Sequence, residues 1–155
     1  MSVRRPSAGR DPFEVFRPRR ARVVAVVVGI LSVVVFGGMA VLLPTDAGLT
    51  TWHLGDRLLL VGLGLTMAAL FYRYATIRAV PTPERLVVRN LMTTRELAWP
   101  QVLGLQFGGG APWVTLDLDD TDTLAVMAIQ RSDGPFADAE ASRLAALVQA
   151  LGEAR

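Results

Sequence analysis

The run from Val23 to Leu43 limits what this chain can fold into more than any other feature. Its 21 residues hold one polar side chain, Ser32. As an α-helix rising about 1.5 Å per residue it measures about 30 Å, the thickness of a bilayer's hydrocarbon core. A second apolar run, Leu58 to Tyr72, follows a short polar loop, and its 15 residues reach only about 22 Å as a helix. It must therefore borrow from its flanks or thin the bilayer locally. Trp52 and Leu54 extend it on one side while Arg57 snorkels, and Tyr72, Arg73 and Tyr74 suit the opposite interface. A soluble core of this size rarely holds helices that are apolar on every side. A cleaved signal peptide has a shorter core and is not followed directly by a second span. The expectation is a two-helix transmembrane hairpin over residues 23–75.

Charge is distributed to match. The pI near 9.9 points first to nucleic acid, but residues 1–22 carry seven Arg against Asp11 and Glu14, a net +5, whereas residues 79–155 carry six Arg against ten acids, a net −4. The basic part is a membrane flank and the remainder is mildly acidic, so no nucleic-acid partner is expected. Arg4, Arg5, Arg10, Arg17, Arg19, Arg20 and Arg22 precede the first run, and Arg73, Arg78, Arg85 and Arg89 follow the second, while the loop from Pro44 to Arg57 has one Arg and two Asp. By the preference for basic flanks on the inner side, both termini are expected in the cytoplasm and the chain in the cell (inner) membrane.

Residues 1–22 contain Pro6, Pro12 and Pro18 and show no sustained periodicity; they are expected to form a flexible, Arg-rich cytoplasmic arm. Within the arm, Phe13, Val15 and Phe16 beside Arg17, Arg19 and Arg20 suit the interface of an anionic leaflet. The candidate anionic-lipid contacts are Arg17, Arg19, Arg20, Arg22, Arg73 and Arg78; the plainer role for the same residues is to set orientation. Ala25 and Gly29 are four apart, as are Gly64 and Ala68, and small residues at that spacing let helices approach closely, in a tight hairpin or in a homo-oligomer. Gly37, Gly38 and Gly62 are expected to add to this. No ionisable residue lies in the middle of either run, so transport by this chain alone is not expected.

The chemistry-bearing residues do not converge. The chain has no Cys, hence no thiol nucleophile, disulfide or thiolate metal site. His53 has only Asp46 and Asp56 near it in sequence and reads as an interfacial histidine. Gly108, Gly109 and Gly110 are not followed by the Lys and Ser/Thr of a phosphate loop, and read as a hairpin loop. Asp117, Asp119, Asp120 and Asp122 lack the Gly and Glu of a calcium loop, where Asp122 and Ala128 stand, and read as a solvated turn. Trp99 before Pro100 reads as a core or edge anchor. No catalytic, cofactor or metal site is assigned, and no enzyme is expected.

Beyond Tyr72 the periodicity changes from helical to alternating. Strands are predicted over Thr76 to Val80, Arg85 to Asn90, Thr94 to Ala98, Val102 to Phe107, Trp113 to Leu118 and Thr123 to Gln130, joined by tight turns as an antiparallel meander. In the fifth, Val114, Leu116 and Leu118 face one way. A closing helix starts at Ser132-Asp133-Gly134-Pro135, and Phe136, Leu144, Leu147, Val148 and Leu151 make an apolar stripe interrupted by Glu140. It is expected to plug an open end of the curved sheet.

Four segments carry a family resemblance: Pro83 to Asn90 (PERLVVRN), Thr94 to Val102 (TRELAWPQV), Pro112 to Leu116 (PWVTL) and Ala128 to Arg131 (AIQR). In order, with the closing helix, these resemble the bacterial pleckstrin-homology-like domains, and most closely the actinobacterial membrane proteins that carry such a domain after two spans, the group including low-molecular-weight protein antigen 6. The resemblance covers residues 76 to about 150 and the hairpin order. It implies an α+β chain: a transmembrane hairpin, then a PH-like bent antiparallel sheet or barrel over residues 76–155 with a C-terminal capping helix. It also implies seven strands where six are counted, the seventh lost or hidden near Trp99 to Phe107. In eukaryotic relatives of the fold a basic loop between the first two strands binds phosphoinositides; here Val80 to Glu84 holds Pro81, Pro83 and Glu84 and no Lys or Arg. The leading functional expectation is a non-enzymatic, membrane-anchored module that presents a sheet edge or the end of the sheet to a protein partner; the alternative is anionic-lipid sensing through juxtamembrane Arg.

Overall fold

The computed structural model describes residues 11–44, 46–47 and 50–152. Arg4, Arg5 and Arg10 of the expected arm, and the last three residues of the expected domain, lie outside the described residues. The chain makes two compact units, one of residues 19–77 and one that joins the segment ending at Pro18 to everything from Arg78 onward.

The first unit is the hairpin. Helix α1 (Arg20–Leu42) has 23 residues, and a pair of two-residue strands, β1 (Asp46–Ala47) and β2 (Thr50–Thr51), leads to α2 (Leu54–Ala75) with 22. At about 1.5 Å per residue α2 measures about 33 Å, so the shortfall of its apolar run is met by helical extension at both ends; Trp52 stays outside it. The early start has a local cause. The Asp56 carboxylate accepts the His53 N–H at 2.9 Å, satisfying a free donor at the positive end of the helix. One turn on, Arg57 Nη2 donates to the Leu43 carbonyl at 2.9 Å, placing a cation on the negative end of α1. Arg57 thus closes the hairpin, a task beyond the snorkelling expected of it.

Contact between the helices falls on small residues. Ala25, Gly29, Ser32 and Ala40 of α1 and Gly64 of α2 are buried. A Cβ on Gly29 would lie 3.4 Å from the Phe71 Cβ, and one on Gly64 only 2.9 Å from the Phe36 Cβ and 3.1 Å from the Ser32 carbonyl. Gly37, Gly38 and Gly62 instead face open space, so they take no part in the close approach expected of them. The Ser32 and Thr66 hydroxyls each donate to the carbonyl four residues back, both at 2.8 Å, which leaves no bare donor on an apolar helix. Elsewhere the surface is apolar and uncovered: Val23 is 65% and Leu59 74% exposed. The two helices are long and apolar enough to cross a membrane.

The second unit is an α+β domain. Strands β3 (Arg78–Pro81), β4 (Arg85–Arg89) and β5 (Thr94–Ala98) form one antiparallel sheet, and β6 (Val102–Gln106), β7 (Trp113–Leu118) and β8 (Thr123–Gln130) form another. Helix α3 (Pro135–Gly152) packs against β6, β8 and the turn after β5. The six strands fall where alternation places them, and Val114, Leu116 and Leu118 are buried as expected. In β8 the alternation breaks at Ala128, Ile129 and Gln130, all buried, because a register shift opposite Trp113 and Val114 bulges the strand. Asn90 ties the two sheets together: its Nδ2 donates to the Ala125 carbonyl at 2.7 Å and its Oδ1 accepts the Met127 N–H at 3.1 Å.

Two expectations are corrected here. Between Trp99 and Gln101, where a seventh strand was a possibility, the chain makes a 3₁₀ turn; Pro100 lacks a ladder donor, and Gln101 Oε1 accepts the Ala98 N–H at 2.8 Å. The additional pairing comes from before the hairpin. Phe16 and Ala79 form an antiparallel bridge, exchanging N–H···O bonds of 2.9 and 3.1 Å. Residues 11–18 are therefore not a free arm, and Phe16 is fully buried in the domain instead of lying at a lipid interface. Burial of a Phe side chain contributes about 1.5–3 kcal/mol, a part of what holds a short segment that has no periodicity of its own. Arg143 completes the attachment. Its Nη1 donates to the carbonyls of Pro12 (2.8 Å) and Glu14 (2.7 Å), its Nη2 to Glu140 Oε2 (2.6 Å), and its guanidinium lies 3.8 Å from the centre of the Phe16 ring. Glu140, the break in the apolar stripe, is thus the anchor of the residue that holds the N-terminal segment.

Two outcomes are expected from unfolding the full chain in detergent. Gly64→Ala places a methyl against Phe36 and the Ser32 carbonyl and should cost about 1–3 kcal/mol, whereas Gly62→Ala, in open space, should cost nothing measurable. Arg143→Met strips the guanidinium from buried Glu140 and should cost about 3–5 kcal/mol, with part of that loss recovered in the Glu140→Gln/Arg143→Met double variant.

Candidate functional site

The six basic residues singled out from sequence divide between the two units. Arg20 and Arg22 lie in the first turn of α1, Arg19 just before it and Arg73 in the last turn of α2, so an antiparallel hairpin brings these four to one end. Arg17 and Arg78 belong to the domain, where the Phe16–Ala79 bridge makes them neighbours on adjacent strands. All six are exposed. Arg89, outside that set, lies directly opposite Arg78 on β4. Its membership depends on strand register, which only the β3–β4 pairing reveals.

The residues read as structural take structural places. Trp99 is buried and donates Nε1–H to the Thr82 carbonyl at 2.8 Å, a core anchor. Gly108, Gly109 and Gly110 have φ of 146°, 58° and 93° and form the loop between β6 and β7, a run of conformations that only glycine adopts without strain. The acidic turn is internally bonded: Asp117 accepts both hydrogen bonds of Gln106 Nε2 (2.8 and 3.1 Å), Asp120 accepts the Asp122 N–H (3.1 Å), and Asp122 lies 3.7 Å from Arg95.

An open groove of about 650 Å³ runs between β6 and α3, lined chiefly by Pro100, Val102, Leu103, Leu105, Ala145 and Val148. Its walls follow from local sequence. The β6–β7 register shifts between Val102 and Gly104, and this irregularity turns Leu103 outward to 69% exposure. On α3 the inner positions Ala141, Leu144 and Leu147 are spent in the core, and the adjoining Ala145 and Val148 are left over to face the groove. Among the described residues, strand β6 has β7 on one side and no strand on the other, so its outer edge offers backbone donors and acceptors beside an apolar floor.

The four edges differ. Phe16 occupies the outer edge of β3, and the Asn90 side chain engages the backbone of β8. Strand β5 has no strand on one side among the described residues but carries exposed Thr94, Arg95 and Glu96, the kind of charged edge that discourages strand pairing. Strand β6, VLGLQ, has no charge.

Residues 77–146 match the family model described as Bacterial PH domain. Uncharacterized proteins of Mycobacterium bovis and of Mycobacterium tuberculosis strains CDC 1551 and H37Rv are each 31% identical over 127 residues, 82% of this chain and 82% of theirs. Since only 79 of the 155 residues follow Thr76, that likeness extends into the hairpin. No solved structure matches the chain significantly.

Proposed function

From the free β6 edge of a chain that belongs to the bacterial PH domain family, we propose a membrane-anchored, non-enzymatic interaction module. The hairpin crosses the cell membrane twice, and the domain sits at the cytoplasmic face and docks an extended segment of a protein partner along β6. The observation that carries the docking is the uncharged β6 edge beside the groove lined by Leu103, Leu105 and Val148. A strand added there gains main-chain hydrogen bonds along β6, and alternate apolar side chains enter the groove.

Two observations support the membrane placement. Both helices leave large apolar side chains uncovered along their length, which in water would be an aggregation surface and in lipid carries no cost. The domain is also assembled from chain on both sides of the hairpin, which fits an even number of crossings with both flanks on one side. The Arg distribution favours the cytoplasm as that side.

Because the chain has no Cys, single introduced thiols report topology cleanly. In intact cells an impermeant maleimide should label Ala47→Cys, in the loop between the helices, and should reach Ser142→Cys only after permeabilisation; the reverse pattern would exclude this placement. A photo-crosslinking residue at Leu103 or Val148 should give one reproducible adduct from membranes, absent from the same label at Thr94 and lost at least tenfold when the Val148 probe is combined with Leu103→Asp. Equal adducts at all three positions would rule out the β6 groove as the docking surface.

A further inference from the structure

We propose that Arg17, Arg78 and Arg89 form a built phosphate-binding row on the outer face of the β3–β4–β5 sheet, assembled only when the segment before the hairpin docks on the domain. The Phe16–Ala79 bridge sets Arg17 beside Arg78, and the β3–β4 ladder sets Arg78 opposite Arg89 and Arg89 opposite Thr94. One step along, Phe16, Ala79 and Val88 are all buried, so by strand alternation the three Arg project from the opposite, outward face. Arg17 and Arg78 are exposed, Arg89 is half-buried, and the exposed Thr94 hydroxyl ends the row.

Side chains directly opposite across strands have Cβ atoms about 4.5–5.5 Å apart, and like charges so placed repel. Three of the domain's other cations meet carboxylates, Arg85 with Glu96 (2.6 Å), Arg95 with Asp122 (3.7 Å) and Arg143 with Glu140 (2.6 Å), and Arg131 stands opposite no other cation in the strand registers. Among the described residues no carboxylate answers Arg17, Arg78 or Arg89. Three unanswered guanidiniums in adjacent register call for a counter-anion. A phosphate fits best, since its oxygens accept several forked N–H pairs at once. The row lies at the far end of the β3–β4 hairpin from the Pro-rich turn after Pro81. Arg17 is three residues before α1 and Arg78 three after α2, so a spanning hairpin keeps the row within about 10 Å of chain from the lipid headgroups. The same chemistry would accept a lipid headgroup or a free phosphate. The lipid source rests on the membrane placement proposed above; the phosphate site itself does not.

The test is thermal unfolding of the full chain in a neutral detergent at low salt, titrated separately with inorganic phosphate and with lysophosphatidylglycerol. At least one probe should raise the midpoint by several degrees in a saturable, salt-sensitive way. Response to both identifies a general phosphate site, and response to the lipid alone identifies a headgroup site. The Arg17→Gln/Arg78→Gln/Arg89→Gln variant should bind at least tenfold more weakly, while Arg131→Gln, at an exposed Arg outside the row that has no carboxylate partner among the described residues, should behave as the parent. Without probe the triple variant should unfold at the parent's temperature or above it, because like charges have been removed. The proposal is overturned if neither probe acts, if Arg131→Gln loses as much as the triple variant, or if the triple variant unfolds well below the parent.

Discussion

The attachment of residues 12–16 to α3 and β3 is the contact on which the rest of the arrangement depends. A guanidinium taken out of water costs several kcal/mol unless its donors are met, and Arg143 offsets most of that cost with a carboxylate, two backbone carbonyls and the face of an aromatic ring, its Nε alone being buried without a partner among the described residues. Its partners come from both sides of the hairpin, so the helices are an insertion within the domain, between its first bridged residue and its first full strand. An inserted pair of helices must begin and end at neighbouring points. That closure, more than any property of the helices themselves, sets where the hairpin begins and ends.

Much of this was legible in the chain. The change from unbroken apolar runs to alternation marks the boundary near Ile77, and the six strands and closing helix follow from turn residues and period. Two features were not: one depends on a contact between residues far apart in sequence, the other on a local cap combined with a reach from one helix to the other. Phe16 looks like an interfacial aromatic because Arg surrounds it, and its bridge to Ala79 spans the whole hairpin. Likewise, Gly55, Asp56 and Arg57 look like loop, yet α2 starts at Leu54 because Asp56 caps its own helix and Arg57 reaches the end of the other. Glu140 was a readable clue. A carboxylate inside an apolar stripe requires a partner, and Arg143 three residues on is the obvious one; the carbonyls Arg143 also holds could not be inferred from spacing.

The treatment of sheet edges sorts the surface of the domain. An open edge is a template for any passing strand, and proteins close, charge or use it. Here one edge is covered by the chain's own N-terminal segment, one is engaged by an Asn side chain and one carries Arg95 and Glu96. The uncharged β6 edge is left, and it is the edge bordered by a groove. Had β6 been open merely by default, it would be expected to carry the charges that guard β5.

Small residues in the hairpin lead to a similar division of surfaces. Gly29 and Gly64 are consumed where the helices touch, and a Cβ at Gly64 has no room. A second copy therefore cannot use that face without first opening the hairpin, and opening it would also pull on Arg57, which ties the start of α2 to the end of α1. Self-association through the helices would have to use the outer surfaces, where Gly37, Gly38 and Gly62 leave open space. Any contact between chains through the helices would thus fall on a different face from the contact within the chain, and an oligomer built there would not disturb the insertion that keeps the domain whole.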